Sequence, residues 1–574
     1  MREPSCSVGD VEVYEVSYVK SLEQRISDLE TRLQAQGSVN IATGFPNDGS
    51  HRFSHSLVDD LQPMDPMHWQ YSFYSSITNP PESHNPFDDL LIDPHAIQSL
   101  ANTVPVNSVT APKTPISTQG HDFFALEPVT ENPHKNDSPL SALPIPHAEI
   151  ARFLHAYFGL IHPRYPFLDV DECASAYINS KQASIIADEV QASWYSFLLT
   201  TLCAIGCTIS QPSTVAHLSK QNEILLARVQ AERGVISNEH ASPLIRLKAM
   251  LLHVILALHG ENTSRLVHLT GVTMRFATLH GFHRLDTSNS NDAANAQTKA
   301  WSCIYALDRM ISGTLRIPLY LTCSPYICSM PWLSDYPGHE SVDQVLLEKT
   351  FTHMLRVRTI QSKIMCTAPT LKPDEIGPFI AKMEDEISDW SEHSQIFMHI
   401  EPDNVGYLSC FWLQYMASVV RVTLHSIFGD MDYELPRAAE LLKACCDACT
   451  AFRTVQKGRQ LVRSWIDMVF DFQAGVTILY IKWKGLKLHH QDVDRAIRNC
   501  TSTLAILAEG APNVETFRDC FDALATFVGR NGLNEELPGD RSEDLNIYCR
   551  KVIALGVAPH IASILREMSH LSPA

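Results

Sequence analysis

From residue 144 to the C-terminus the apolar residues recur at positions i, i+3, i+4 and i+7, and almost nowhere do they alternate with polar ones. That period gathers apolar side chains on one face of a helix, whereas a half-buried strand needs a period of two. Residues 144–574 are therefore expected to be all-α. The spacing predicts helices over 150–158, 194–209, 219–233, 244–259, 264–280, 296–315 and 346–365. It continues over 376–390, 405–428, 436–455, 462–488, 492–508, 514–528 and 544–568, with Gly, Pro or polar breaks between. About fourteen helices, each with one apolar stripe to bury, imply a large multi-helix bundle of stacked antiparallel helix pairs. No repeat of fixed length recurs, which argues against a regular solenoid.

The longest nearly uncharged run is 192–218, and its apolar part, 194–209, is shorter than the ~20 residues a helix needs to cross the hydrocarbon core of a bilayer. It reads as a buried core helix, with no membrane as a partner. Fifteen cysteines, an odd number, and no apolar leader in residues 1–10 point to reduced thiols in an intracellular protein.

Charge and proline divide the chain near residue 140. Residues 1–140 hold 7 Lys/Arg against 19 Asp/Glu, a balance of −12, and 14 of the 33 prolines. Proline-punctuated, acidic sequence buries little and cannot offset its ordering entropy. Residues 1–17 are thus expected to be a disordered N-terminus and 37–143 a disordered acidic linker. Between them, in 18–36, Val19, Leu22, Ile26, Leu29 and Leu33 step by 3, 4, 3 and 4, the narrow stripe of a coiled-coil seam. A helix this short is marginal alone in water. Two readings stand: a dimerisation coil, or an amphipathic helix docked on its own body. Residues 53–93 interleave aromatics (Trp69, Tyr71, Phe73, Tyr74, Phe87) with acids, the composition of either an activation-type segment or a plain linker.

Signatures of catalysis fail one after another. Neither GxxxxGK[ST] nor GxGxxG occurs, so no glycine-rich turn aims amides at a pyrophosphate; HExxH and GxSxG are missing too. The run Asp88-Asp89-Leu90-Leu91-Ile92-Asp93 looks like a Mg²⁺-diphosphate motif, but its third aspartate comes one position late, in proline-rich sequence. Cys203 with Cys207, and Cys445 with Cys449, share helix faces, yet neither pair has the second half a closed zinc site requires; Cys446 and Cys449 have CxxC spacing in mid-helix. Buried packing is the reading for these thiols, and His489-His490 shows no metal spacing. No catalytic, cofactor or metal residue is assigned, and the chain is not expected to be an enzyme.

Four stretches, in order, resemble fungal zinc binuclear cluster transcription factors in their helical middle region. Residues 157–169, YFGLIHPRYPFLD, are similar to that family's opening helix and turn, through His162, Pro163, Tyr165, Pro166 and Phe167. Residues 266–285 resemble a helix ending in a Leu-Gly-x-His-Arg type signature, here His280-Gly281-Phe282-His283-Arg284. Residues 301–318 are similar to a Trp-x-x-x-Tyr-x-Leu-Asp-Arg helix and its proline turn, through Trp301, Tyr305, Asp308, Arg309 and Pro318. Residues 18–33 look like the coil that follows the family's zinc module. Physically the matched residues read as scaffold: the prolines force an extended turn pinned by Phe167 and Leu168, and Asp308 and Arg309 each need an opposite charge or a helix end inside the bundle.

Departures accompany the matches. Ahead of the coil stands only Cys6, and residues 1–17 hold one Arg against four acids, with neither the six zinc-binding cysteines nor a phosphate-gripping surface. The basic pair before the Trp helix is reduced to Lys299, and the usual Gly-Arg-Pro turn reads Arg316-Ile317-Pro318. The resemblance implies a nuclear transcription regulator controlling a metabolic or biosynthetic gene set. It would act as a homodimer or as a heterodimer with a related factor, together with transcriptional co-regulators. DNA contact would come indirectly, or from a zinc module lost through a truncated gene model or in evolution, and zinc is expected only with that module. The alternatives are a non-DNA-binding co-regulator of an intact relative and an all-α enzyme with an unrecognised active site. The last 250 residues match no motif, so their helices rest on periodicity alone.

Overall fold

Side-chain caps at Asp188, Ser242 and Asn262 start three helices, and Gly281, Gly485 and Gly556 take positive φ just past the ends of three. The structure, a computed structural model, describes residues 145–182, 188–210, 216–284, 292–321, 342–394, 410–428, 435–457, 462, 464–485, 492–509, 511–531 and 539–570. Among them there is no strand; the fold is all-α. The coil at 18–36, the linker at 37–143, Asp88-Asp89 and His489-His490 lie outside the described residues.

The first half comprises α1 (His147–Leu160), α2 (Val170–Gln182), α3 (Glu189–Ile209), α4 (Ala216–Ala231), the single turn α5 (Gly234–Ser237), α6 (Pro243–Leu258), α7 (Thr263–Leu279), α8 (Asp292–Leu315), α9 (Val342–Thr367) and α10 (Pro373–His393). The second half comprises α11 (Cys410–Ser426), α12 (Leu435–Lys457), α13 (Trp465–Trp483), α14 (Val493–Ala508), α15 (Pro512–Asn531), α16 (Gly539–Leu555) and α17 (Pro559–His570).

Several boundaries differ from the periodicity, each for a local reason. The Asp188 side chain accepts hydrogen bonds from the Val190 and Gln191 amides, so α3 starts five residues ahead of its apolar run and reaches 21 residues. It is thereby long and apolar enough to cross a membrane by length and composition, which removes the length argument; 83% of its apolar window is nevertheless buried inside the body. Helix α2 was not anticipated, because its buried face is Cys173, Ala176 and Tyr177 in otherwise polar sequence. The single helix expected over 544–568 is two. Gly556 turns the chain at φ +97°, its carbonyl accepts a hydrogen bond from Thr263 Oγ1 at 3.3 Å, and a Cβ there would lie 2.9 Å from Thr263 Cβ.

Two helices carry the core. Helix α3 packs on α1, α2, α4 and α6, while α13 packs on α8, α12, α14, α15 and α17. Both are buried on nearly every side, the signature of a central helix rather than a surface one. Each has a glycine at its closest crossing: a Cβ on Gly206 would stand 2.2 Å from the Phe153 carbonyl oxygen of α1, and one on Gly475 would stand 2.6 Å from Cys500 Sγ and Phe521 Cε2. One buried apolar cluster continues from Ile145 to Met568, so the two halves share a core.

Candidate functional site

The turn after α1 carries the first group of sequence-predicted residues. Residues 161–164 form a hydrogen-bonded turn, with the Arg164 amide donating to Ile161 O at 3.0 Å; the chain extends only beyond it, which corrects the expectation of an extended turn throughout. His162, Tyr165, Pro166 and Phe167 are buried and Pro163 half-buried. His162 sits 5.2 Å from the Phe158 ring, and burial holds its pKa down to about 4, with Lys299 adding to the effect.

Arg164, the variable position of that motif, is buried as well. Its guanidinium lies 4.8 Å over the Trp412 ring and 3.7 Å from Asp467 Oδ2 on α13. Tyr415 Oη donates to Asp467 Oδ1 at 3.5 Å. Arg358 of α9 joins them, donating to Gln361 Oε1 at 2.8 Å and to Met416 Sδ at 3.7 Å; burial pulls its pKa down to about 10. Two arginines and one carboxylate thus gather in the interior, at the meeting of the α1 turn, α9, α11 and α13, with Arg164 ion-paired to Asp467 and Arg358 held by Gln361. None of Arg164, Arg358 and Asp467 was singled out from sequence. The one signal was a charge in each of three apolar settings.

The second group lies on α8. Trp301, Tyr305, Asp308 and Arg309 are buried, and the neighbouring Asp308 and Arg309 form an ion pair with each other. Arg309 also donates to Leu321 O at 2.5 Å and to Ser362 Oγ at 3.4 Å, and covers the Tyr305 ring at 4.2 Å. Burial raises the Asp308 carboxyl, and Arg309 draws it back in part. At the end of α8, Arg316 occupies the left-handed region at φ 54°, where glycine is the usual residue, while the Ile317 amide closes the turn onto Ser312 O at 3.2 Å. The side chain offsets that strain by donating to Thr423 O at 3.0 Å and to Ser426 Oγ at the C-terminal end of α11, which a cation favours. His283 is half-buried, 6.0 Å from the Trp301 ring, whereas Arg284 and Pro318 are exposed.

Buried thiols form the third group. Burial pushes Cys203 and Cys207 of α3 up, the latter to about 11, and Cys445 and Cys446 of α12 also upward, opposite to what a nucleophilic thiol needs. Cys449 of α12 meets Cys500 of α14 and Asp471 of α13, with one donor atom from each within 4.8 Å of the others. All three are fully enclosed, and burial raises the Asp471 carboxyl to about 7, the thiols offsetting this only in part. Sequence spacing could not bring these residues together, because each lies on a different helix.

Hydrogen bonds tie the halves. The Gln473 amide donates to Thr314 O at 3.0 Å and its oxygen accepts from the Ala558 amide at 2.7 Å; Trp465 Nε1 donates to Thr263 Oγ1 at 2.8 Å. Asn513 bonds Glu261 through backbone and side chain, at 3.1 and 3.0 Å.

No curated protein matches the chain. One family model does, and it covers the buried motif residues from α1 to α10. Residues 154–382 are a fungal specific transcription factor domain, the middle regulatory region of fungal zinc-cluster transcription factors.

Proposed function

We propose that this protein is a transcription regulator whose helical body receives its DNA contact from elsewhere. Either a six-cysteine module outside these 574 residues or an intact relative supplies that contact, with pairing through Val19, Leu22, Ile26, Leu29 and Leu33. The observation that carries this reading is the fungal specific transcription factor domain at residues 154–382, a regulatory rather than an enzymatic family. Residues 1–17, with one Arg, four acids and a single Cys6, supply no basic surface for phosphate themselves. Action in the nucleus follows from the family, and the output we propose is control of a metabolic or biosynthetic gene set.

The full chain fused to a heterologous DNA-binding domain, in a fungal reporter strain, tests this. Nuclear accumulation with a changed reporter level is the expected result; a nuclear fusion that leaves the reporter unmoved overturns the reading. Pairing is tested separately by analytical ultracentrifugation of the full chain carrying Leu22→Asp and Leu29→Asp. Loss of self-association is expected, and retention removes the coil from the mechanism.

A further inference from the structure

Three helices of the second half each bring one donor to a single buried point: Cys449 Sγ from α12, a carboxylate oxygen of Asp471 from α13 and Cys500 Sγ from α14. None of the three residues has measurable solvent exposure. Neither oxygen of Asp471 has a partner in hydrogen-bond geometry, and the Cys500 thiol faces the Asp471 backbone carbonyl at 3.6 Å instead. A carboxyl enclosed with only thiols beside it must keep its proton or meet a cation.

We propose that Cys449, Asp471 and Cys500 form a structural zinc site, distinct from any DNA-binding zinc module. Thiolate donors select zinc over the hard oxygen-seeking cations, and the Asp471 carboxylate joins the two sulfurs as the third protein ligand. Donors around tetrahedral zinc stand roughly 3.3–3.8 Å apart, so loading draws the three side chains together by about 1–1.5 Å at most. Because the point is enclosed, the ion enters as the chain folds, with loss of the two thiol protons to solvent.

The test uses the full chain expressed in zinc-supplemented medium, purified without chelator and assayed by mass-spectrometric metal analysis. The double variant Cys449→Ser/Cys500→Ser is compared with Cys520→Ser, whose thiol faces Cys549 at 3.9 Å. One zinc per chain is expected in the wild type and in Cys520→Ser, falling to background in the double variant. Cobalt exchanged into the wild type guards against a misfolded variant, since it should give a thiolate-to-cobalt charge-transfer band that zinc abolishes. Chelator should lower the Tm of the wild type and leave that of Asp471→Leu unmoved. Equal zinc in wild type and double variant, or a cobalt spectrum without sulfur character, overturns the proposal. So does an Asp471→Leu chain that is more stable than the wild type while the wild type itself ignores chelator, for that marks the cluster as packing alone.

Discussion

The two central helices are buried to a similar degree and yet are filled differently. Helix α3, inside the fungal specific transcription factor domain, encloses Trp194, Phe197, Leu198, Leu202 and two thiols, and its Thr201 hydroxyl turns back onto the Phe197 carbonyl of its own helix. Helix α13, outside that domain, encloses Asp467, Asp471 and Gln473, whose side chains reach or face other elements. The first is chiefly a packing core, its bonds to other elements including those from Trp194 and Ser196 to the partly exposed Glu172 and Glu232; the second is a polar hub that ties the domain to the helices after it. Buried polar groups of this kind confer little net stability when intact, but become costly when one partner is removed.

Asp467→Ala should therefore be the most damaging single change. It removes the carboxylate that pairs with Arg164 and accepts from Tyr415, and a loss of about 3–5 kcal/mol is expected from urea unfolding of the full chain. A loss below about 1 kcal/mol would mean that Arg164 has another counter-charge. Next comes Gly206→Ala, whose Cβ would collide with the backbone of α1 at Phe153; a cost of about 1–3 kcal/mol is expected. Gly475→Ala should cost less, because the atoms it meets belong to the side chains of Cys500 and Phe521, which can give way. The reverse order would break the comparison between the helices.

Acid should destabilise the whole body through the buried histidines of its first half. Burial holds His162, His253 and His353 down to about 4, with His253 stacked 5.4 Å from Phe197 of α3. The unfolded chain binds a proton at each near pH 6.5 while the folded chain does not, so their contribution is complete above pH 6.5. It is lost as pH falls toward 4, by about 1.4 kcal/mol per pH unit for each histidine. Thermal melts from pH 7 to pH 4 check this, and His253→Phe should flatten the slope. The smallest effect is expected for Arg316→Gly: relief of the left-handed backbone nearly offsets the lost bonds to α11, leaving a change within about 1 kcal/mol.

How much of this was legible depended on whether the signal was local. The all-α class follows from the apolar period, and Asp308 and Arg309 stood out as charges in an apolar helix. The break at Gly556 was hidden because Val552, Leu555, Ala558, Ile561 and Leu565 keep helical spacing straight through it, although Gly556 and Pro559 were the stop and start signals. Helix α2 was hidden for the opposite reason: a small-residue face gives a weak period, despite Asp171 and Glu172 in its first turn. Arg164 with Asp467, and Cys449 with Asp471 and Cys500, could not be paired from sequence, because their meeting depends on how separate helices pack. For the same reason the motifs led only to the first half, while every clamp between the halves also needs a partner from the second.

Native-state hydrogen exchange of the full chain, with and without Asp467→Ala, tests most directly whether the regulatory domain and the later helices are one cooperative body. The amides of α3 and α13 should exchange only through a shared global opening, and the substitution should lower protection in both by the same free energy. Protection that falls in α13 while α3 keeps its wild-type value would contradict this, and would make the regulatory domain and the helices that follow it separate folding units.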